Sequence, residues 1–279
     1  MTTTAARRRP ASHAIALDRA LEALPLFRLS DSADASPISY TTPSGGRWRV
    51  IPAPGDRLPG TFDQDVYVEI IRRFDEAGAP ASGEIAFTLH DFLRSMGRRV
   101  DGRTYEQLRS SLGRLQRTHL ESTGAYWSAR ANEAVTERFS LLSAIRIDRR
   151  RASDREQLGL FSVVPANEPG DARVTIAPQL RANISAGYTV ALIPANYLAL
   201  SSPVARRLYR LLAVAGSAGE GEWAPSLAEL AEALPLAQRY PSHLQRVLQP
   251  AHEMLVAAGL VRSAEVLQGP AGWMARYQV

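Results

Sequence analysis

The stretch TYEQLRSSLGRLQRTHL, residues 104–120, has the pattern of an amphipathic helix that runs into a strand. Leu108, Leu112 and Leu115 recur at spacings of four and three, so they share one helical face. The opposite face carries Arg, Gln, Ser and Glu, whereas a merely solvated face more often mixes Glu with Lys. The pattern predicts a helix that packs through its leucines and presents polar, mostly basic groups outward.

Two further helices are predicted ahead of this one. The segment FDQDVYVEIIRRF, residues 62–74, has its apolar side chains on one helical face. The segment TLHDFLRSMG, residues 88–97, begins with Thr88, which suits an N-cap, and has Asp91 three residues later as in a capping box. Residues 62–127 are therefore predicted to form three helices followed by a strand.

The same order recurs in residues 203–278. An apolar helix is predicted over PVARRLYRLLAVAG, a short helix capped by Ser226 over SLAELAEALP, and a long helix over YPSHLQRVLQPAHEMLVAAGL. A strand-like tail follows each long helix, from Leu120 and from Leu260. Groups of three amphipathic helices are common, but the shared order, caps and trailing strands favour two copies of a winged helix-turn-helix.

Segments outside the two copies are rich in strand-forming residues. Residues 38–41 and 47–51 flank a Gly-Gly pair and predict a β-hairpin that packs on the first unit. Three more segments predict a sheet that extends from the first wing and bridges to the second unit, with the basic run RIDRRRASDRE as a hairpin tip: residues 139–147, 158–164 and 174–176.

The predicted fold class is α+β, with two tandem winged helix-turn-helix domains and an extended β-sheet or wing between them. We predict a flexible basic tail over residues 1–23, an N-terminal winged-helix domain with the β-hairpin and extended wing over 24–187, and a C-terminal winged-helix domain over 188–279. The chain has 279 residues, 45% of them hydrophobic, which is enough for two cores. Because a winged helix places one helix in the DNA major groove, two in one chain predict a tandem reader of double-stranded DNA.

The positive charge of the chain is clustered. The net charge is +5 and all 33 basic residues are Arg, which is more typical of a GC-rich genome than of selection for DNA contact. Their distribution is therefore more informative than their number. Six Arg lie within residues 98–117 and five within 146–155, each set against two acidic residues. Clusters of this kind indicate a polyanion partner.

Candidate DNA-binding residues follow from this clustering and from the outer faces of the long helices. Arg and Gln form bidentate bonds to guanine and adenine edges, whereas Ser and further Arg suit phosphates. The candidates are Arg98, Arg99, Arg103, Glu106, Gln107, Arg109, Ser110, Arg114 and Arg117 around the first long helix, Arg149, Arg150 and Arg151 in the basic hairpin tip, and Arg239, Ser242, His243, Arg246 and Gln249 on the second long helix. Base contacts are expected from Glu106, Gln107, Ser110, Ser242 and Arg246. Neutralisation of the phosphate backbone is expected from Arg103, Arg109, Arg114 and Arg117.

The sequence lacks the motifs of several enzyme classes. Without lysine a Walker A phosphate loop cannot form, and G-x-G-x-x-G does not occur. The five His residues do not show the H-x-H spacing of a rolling-circle nickase or the HExxH spacing of a zinc protease. We expect a protein that is not an enzyme and that uses no cofactor and no metal.

Location is predicted from composition and from the N-terminus. The chain has no Cys, in keeping with a reducing compartment, and no apolar run of membrane-spanning length. Three Arg at positions 7–9 are not followed by the apolar stretch of a secretory signal. We expect a cytoplasmic protein, associated with a nucleoid or plasmid, that does not bind membranes.

Several of these segments together resemble a known family. The runs FDQDVYVEIIRRF, IAFTLHDFLRSMG and GRTYEQLRSSLGRLQRTHLES, with VARRLYRLLA and RVLQPAHEML later, resemble the plasmid replication initiator protein A family over about residues 24–261. The last run is also similar to the final winged helix of iteron-binding Rep initiators. The resemblance implies tandem winged helices that bind repeated origin sequences, help to melt nearby AT-rich DNA and recruit a host helicase or helicase loader. It also implies homodimers that, in some members, repress their own promoter.

Other functions stay open on the sequence alone. A stand-alone winged-helix transcriptional regulator would use the same DNA chemistry. A nickase or nuclease of mobile DNA would need a metal-bound acid cluster, which the sequence does not reveal. A scaffold that binds only proteins would show no salt-dependent affinity for DNA.

Overall fold

The computed structural model describes residues 13–29, 36–147, 171–219, 221–236, 240–270 and 272–279. The helices are α1 Arg19–Glu22, α2 Thr61–Glu76, α3 Leu89–Ser95, α4 Gly102–Arg117, α5 Pro178–Ser185, α6 Pro194–Ala199, α7 Pro203–Gly216, α8 Leu227–Ala233 and α9 Pro241–Ala257. The strands are β1 Ile15–Asp18, β2 Ile38–Thr41, β3 Arg47–Ile51, β4 Glu84–Thr88, β5 His119–Ser128, β6 Glu133–Phe139, β7 Leu142–Ile147, β8 Asp171–Ile176, β9 Thr189–Leu192, β10 Glu222–Trp223, β11 Ser263–Gly269 and β12 Gly272–Gln278.

Two units of the chain share one topology. The first contains α2, β4, α3 and α4 with the wing strands β7 and β8, and the second contains α7, β10, α8 and α9 with β11 and β12. The sheet orders are β4-β8-β7 and β10-β12-β11, and every pair is antiparallel. In both units the long helix packs against the first wing strand. The predicted repeat of two winged helix-turn-helix units, and with it the predicted fold class, is confirmed.

Local sequence signals fix where the helices of these units begin. Asp101 caps α4 by accepting a hydrogen bond from the Thr104 backbone N–H, and Thr104 bonds back to the Asp101 N–H. Ser226 and Glu229 form the same reciprocal box at α8. The Thr88 hydroxyl accepts the Asp91 N–H at α3, as predicted.

A separate four-stranded sheet has the order β2-β3-β5-β6, and its strand β5 contacts α1 and α5. Its β2–β3 hairpin pairs Ile38 with Val50, which confirms the predicted hairpin. A side chain at Gly46 would lie 2.1 Å from the Gly124 carbonyl oxygen, so this close approach requires glycine. Gly124 itself has a φ of +67° and lies where the β5–β6 register shifts. Trp48 is fully buried on the inner face of the sheet.

The strand pairing after α4 differs from the predicted one. The strand expected to begin the first wing is β5, but its partners are β3 and β6. The wing that corresponds to β11 and β12 is formed instead by β7 and β8, which follow the β5–β6 insertion. Alternation of apolar residues identifies a strand without naming its partner, so the sequence could not distinguish these two hairpins. Residues 148–170, which include the predicted strand 158–164 and most of the basic run, lie outside the described residues.

Part of the expected N-terminal tail is folded, which corrects the predicted tail over residues 1–23. Residues 15–22 form β1 and α1, and β1 pairs with β9. The buried Asp18 carboxylate caps α1 and accepts hydrogen bonds from the Tyr126 hydroxyl and the Asn183 amide. This segment therefore joins the strand at the start of the predicted C-terminal domain to the first unit. Within the described part of the chain, no helix is long and apolar enough to cross a membrane.

Candidate nucleic-acid interface

The outer face of α4 is polar and accessible, as its sequence predicts. Leu108, Leu112 and Leu115 are almost completely buried. The exposed positions on the helix include the candidates Arg103, Glu106, Gln107, Ser110 and Arg117. Arg109 is half-buried beside them. The amphipathic pattern therefore produces one surface that combines amide, hydroxyl and guanidinium groups.

Two of the arginines on this surface carry exposed ion pairs. Arg109 pairs with Glu106 one turn earlier, and Arg117 pairs with Asp56 at 2.6 Å. Exposed pairs of this kind contribute little to stability, about 0–1 kcal/mol. A DNA phosphate could therefore replace either carboxylate at small cost.

Arg114 does not belong to the outer face, which corrects its selection as a DNA contact. Its side chain is buried against α2, where it makes a two-point ion pair with Asp63. The Nε–Oδ2 distance is 3.0 Å and the Nη2–Oδ1 distance is 2.9 Å. The same Asp63 accepts the Gly60 N–H at the start of α2. Arg114 thus holds α4 against α2.

The loop before α4 contains two arginines with different surroundings. Arg98 donates to Asp65 at 2.7 Å and packs over the Phe62 ring, with a side chain that is 42% exposed. Arg99 is almost fully exposed, 3.5 Å from Asp101. Arg98 therefore anchors the loop to α2 and remains partly accessible to solvent. Arg99 is accessible enough to reach a phosphate.

The corresponding face of α9 is also accessible. Leu244 and Leu248 pack inward, while Ser242, His243 and Arg246 are exposed. Gln249 is exposed too and donates to Glu253 at 2.8 Å. The helix continues through Pro250 to Ala257, so the outer face runs along four turns. The candidates Arg149, Arg150, Arg151 and Arg239 lie outside the described residues.

A buried polar cluster, which the sequence did not indicate, joins the two units. Its centre is Glu22 of α1, whose carboxylate accepts from Arg210 of α7 at 3.0 and 3.2 Å. The Tyr67 hydroxyl of α2 donates to the same carboxylate at 2.9 Å. Arg207 of α7 donates to the carbonyl oxygens of Glu22 and Leu24 at 2.9 and 2.8 Å. Elements from the N-terminus and from both units thus meet at one carboxylate.

A second centre of this cluster is Asp65 of α2. Its carboxylate accepts from Arg206 of α7 at 2.6 Å and from the Tyr197 hydroxyl of α6 at 2.9 Å. Arg98, in the loop before α4, binds the same group. The loop that leads into one long helix is therefore tied to the helix that begins the second unit.

Burial shapes the electrostatics of this cluster. Burial, together with Arg210 beside it, lowers the pKa of Arg207 to about 9. Burial, and then the Glu22 carboxylate, raises the pKa of Tyr67 well above its usual range. Buried charges are tolerated when they are paired and hydrogen-bonded, and removal of one partner is costly. The cluster therefore fixes how the two units meet.

The alternation of Arg with apolar residues in α7 was the available signal for this cluster. In PVARRLYRLL the sequence prediction assigned an apolar face to Val204, Leu208, Leu211 and Leu212, which are buried. It left the adjacent arginines unassigned, because charged residues are rarely buried without partners. Their partners come from residues more than a hundred positions away, which one helix pattern cannot show.

Comparison with known proteins places this chain in a family. A family model described as replication initiator protein A matches residues 17–254. The chain belongs to the replication initiator protein A family. The matched range begins in β1 and ends inside α9, so it includes α4 and most of α9. The description of this family names it as one of replication initiators.

Solved structures share the fold of this family member. Two crystal structures of domains 2 and 3 of RctB are similar to it, with TM-scores of 0.55 and 0.51. The alignments cover 91% and 93% of this chain and 94% and 95% of the RctB chains, at 13% and 12% identity. At this identity the likeness shows that the two proteins share a fold.

A curated relative matches over a shorter range. It is a protein of Wigglesworthia glossinidia brevipalpis whose name gives it an inferred role in replication, and it is 30% identical over 96 residues. The alignment covers 33% of this chain and 34% of that protein. The chain thus matches about a third of the length of this relative.

Proposed function

We propose that this protein is a sequence-specific initiator that binds double-stranded DNA at repeated origin sites of a plasmid or secondary replicon. Two recognition helices of one chain, α4 and α9, enter successive major grooves. Membership of the initiator family supports the replication role. The repeated unit, with an accessible Arg, Gln and Ser face in each copy, is the observation that supports the tandem reading.

The chemistry of each face supports separate roles for side chains that contact bases and side chains that contact phosphates. Gln107 and Arg246 lie in the N-terminal halves of α4 and α9, where recognition helices reach base edges, and both side chains can form bidentate bonds with a purine. Arg99, Arg103 and Arg117 are placed at the margins, where phosphate contacts fix register and orientation. Bases thus provide specificity and phosphates most of the salt-dependent affinity.

The buried cluster between the units supports a fixed spacing of the two helices. Sites that face the same side of B-DNA lie about one helical turn, near 34 Å or 10 bp, apart. A rigid junction holds the second helix near its groove once the first is bound, so the linked sites act at high effective concentration. A single chain therefore binds two successive grooves.

In this proposal the protein acts by binding and not by catalysis. It prepares the origin for host proteins, a helicase or its loader, and it acts in the cytoplasm on plasmid or nucleoid DNA. As a homodimer it also represses its own promoter. The chemical work of strand synthesis belongs to the recruited host enzymes.

A replication assay tests this function directly. A plasmid that lacks its own initiator and carries the DNA flanking this coding sequence should be maintained when the intact chain is supplied in trans. Maintenance should be lost with a Gln107→Ala, Arg246→Ala double variant that folds normally. Direct repeats about two helical turns apart beside an AT-rich tract should be the bound element.

A stand-alone transcriptional regulator is the alternative that uses the same chemistry. It predicts binding to a single palindrome over the promoter, repression of a reporter, and no plasmid maintenance. A nickase predicts cuts in supercoiled DNA when the intact chain is incubated with Mg²⁺. Maintenance without nicking supports the initiator and contradicts both alternatives.

A further inference from the structure

Tyr240 occupies a position where its side chain does not help the helix that follows it. It is the N-cap residue of α9, but its side chain makes no capping hydrogen bond. Thr88, Asp101, Ser202 and Ser226 each accept a backbone N–H at the start of α3, α4, α7 and α8, whereas α2, α5 and α6 begin, like α9, without a side-chain cap. Thr, Ser, Asp and Asn stabilise helix starts, and tyrosine does not. The Tyr240 side chain therefore contributes no hydrogen bond to the start of α9.

The ring of Tyr240 is also unusually accessible. It is 72% exposed, whereas the other exposed large apolar residues of the described chain, such as Trp273 and Val256, are 40% and 41% exposed. The His243 ring meets it edge-on, with centroids 5.9 Å apart and an interplanar angle of 77°. This contact holds the aromatic ring over the first turn of α9, beside the exposed Ser242. The Tyr240 ring is therefore held by His243 and is still accessible to solvent.

We propose that Tyr240 determines specificity by packing its ring against the 5-methyl group of a thymine in the major groove. The inference rests on the proposed function, because it assigns α9 as a recognition helix. N-terminal residues of recognition helices contact base edges, and thymine is the base that presents a methyl group there. An aromatic ring next to a His edge offers an apolar surface that hydrogen-bonding candidates such as Ser242 and Arg246 do not.

The proposal predicts an asymmetry between the two halves of the site. Asp101 is the corresponding N-cap of α4, and its carboxylate accepts the Thr104 N–H and offers no apolar surface. The methyl-dependent position should therefore lie in the half-site bound by α9. A role of the Tyr240 hydroxyl toward a phosphate makes a different prediction, since it would not depend on the base methyl group.

The test combines changes in the protein with removal of a methyl group from DNA. A duplex is first selected from a random-sequence pool by the intact chain, and each thymine is then replaced in turn by deoxyuridine, which lacks the 5-methyl group. Wild type should bind about fourfold more weakly at one position, the ratio expected for one buried methyl group. Tyr240→Phe should retain this dependence, and Tyr240→Ser should abolish it.

The serine variant separates a contact from a folding effect. Because Ser is a good N-cap, Tyr240→Ser should raise the unfolding midpoint while it lowers affinity for the thymine duplex. Val256→Ala, which shortens an exposed apolar residue at the other end of α9, should leave both the affinity and the methyl dependence unchanged.

Two results would overturn the inference. One is a wild-type protein that is indifferent to every thymine-to-deoxyuridine change in the selected duplex. The other is a methyl dependence that persists in Tyr240→Ser. Either result leaves the proposed function intact, because selection has already yielded a preferred sequence. If selection yields no preferred sequence, the proposed function fails and the inference fails with it.

Discussion

Arg114 of α4 is buried against Asp63 of α2, with both guanidinium–carboxylate contacts at about 3 Å. In the sequence Arg114 looks like one member of a basic surface, since Arg109 and Arg117 lie close to it along the same helix. In the structure its side chain connects α4 to α2 and is 5% exposed. The basic cluster of α4 therefore divides into arginines that can meet DNA and one that holds the helix in place.

Replacement of Arg114 should lower the stability of the folded protein and leave its contacts with DNA unchanged. We expect Arg114→Ala to reduce the free energy of unfolding by about 3–5 kcal/mol, because it leaves the Asp63 carboxylate buried without its partner. The slope of log K against log salt should not change for the folded fraction, since no phosphate contact is lost. Denaturant unfolding and DNA titration over a salt series measure the two effects.

Arg103 is the matched control on the same helix. Arg103→Ala should leave the unfolding midpoint unchanged and make the salt slope shallower by about one. If Arg114→Ala makes the slope of log K against log salt shallower and leaves stability normal, Arg114 is a phosphate contact and does not hold α4 against α2.

Gln107 should contribute to sequence preference and little to the affinity for random DNA. Its side chain is exposed in the N-terminal half of α4. Loss of one bidentate base contact costs about 1–3 kcal/mol of discrimination. Gln107→Ala should therefore lose affinity for a selected duplex and keep its affinity for random DNA. Equal weakening on both duplexes would assign Gln107 to the phosphate backbone.

Removal of the central acid of the buried cluster should disturb both units. Glu22→Gln leaves Arg207 and Arg210 without their shared countercharge, and we expect a loss of about 3–5 kcal/mol of stability. Glu76→Gln is the matched control, because Glu76 is exposed in its pair with Arg72 and should change stability by less than about 1 kcal/mol. Equal stabilities of the two variants in denaturant unfolding would mean that the cluster does not hold the units together.

His252 should make the second unit sensitive to acid. Burial lowers the pKa of His252 to about 4, and its Nε2 lies 2.9 Å from the Tyr277 hydroxyl. Between pH 6.5 and 4 the unfolded chain binds a proton that the folded chain does not, so stability is lost as the pH falls through this window. The full effect is about 3 kcal/mol at 1.36 kcal/mol per pKa unit.

Comparison with a variant isolates this effect from other titrating groups. Burial raises the pKa of Asp18 to about 7, which gives stability an opposite dependence on pH. The measured quantity is therefore the difference in unfolding free energy between wild type and His252→Gln at pH 7 and at pH 4.5. This difference should shrink toward acid pH. A difference that stays constant would show that His252 is accessible to protons in the folded state.

The sequence was sufficient to predict the helices of the two repeated units and the polar outer faces of α4 and α9. Leu108 and Leu112 were predicted to be buried and are buried, because helical spacing decides which side chains share a face. Caps such as Ser226 were readable because they act within one turn. These features depend on residues close together in the chain.

Features that depend on distant residues could not be read from the same patterns. The partner of β5 was uncertain, since several strand-like segments follow α4. The inward direction of Arg114 depends on Asp63, which lies 51 positions earlier. The role of Arg210 depends on Glu22, 188 positions away. In each case the decisive partner is set by tertiary structure.

The proposed function requires that α4 and α9 of one chain read neighbouring grooves of the same DNA. Truncation between the units is a poor test, because it would remove β9 from β1 and leave Glu22 buried without Arg210. Point variants on each helix avoid this damage. Two double variants are suitable. The α4 variant combines Gln107→Ala with Ser110→Ala, and the α9 variant combines Ser242→Ala with Arg246→Ala.

Hydroxyl-radical footprinting of the intact chain on a selected duplex is the most direct measurement. We expect two protected patches about 10 bp apart in phase, with the α4 variant losing one patch and the α9 variant losing the other. Loss of either patch should also lower affinity strongly, because the sites are linked. A single patch, or two patches that both survive the α9 changes at undiminished affinity, would contradict the claim and leave α4 as the sole DNA-reading helix.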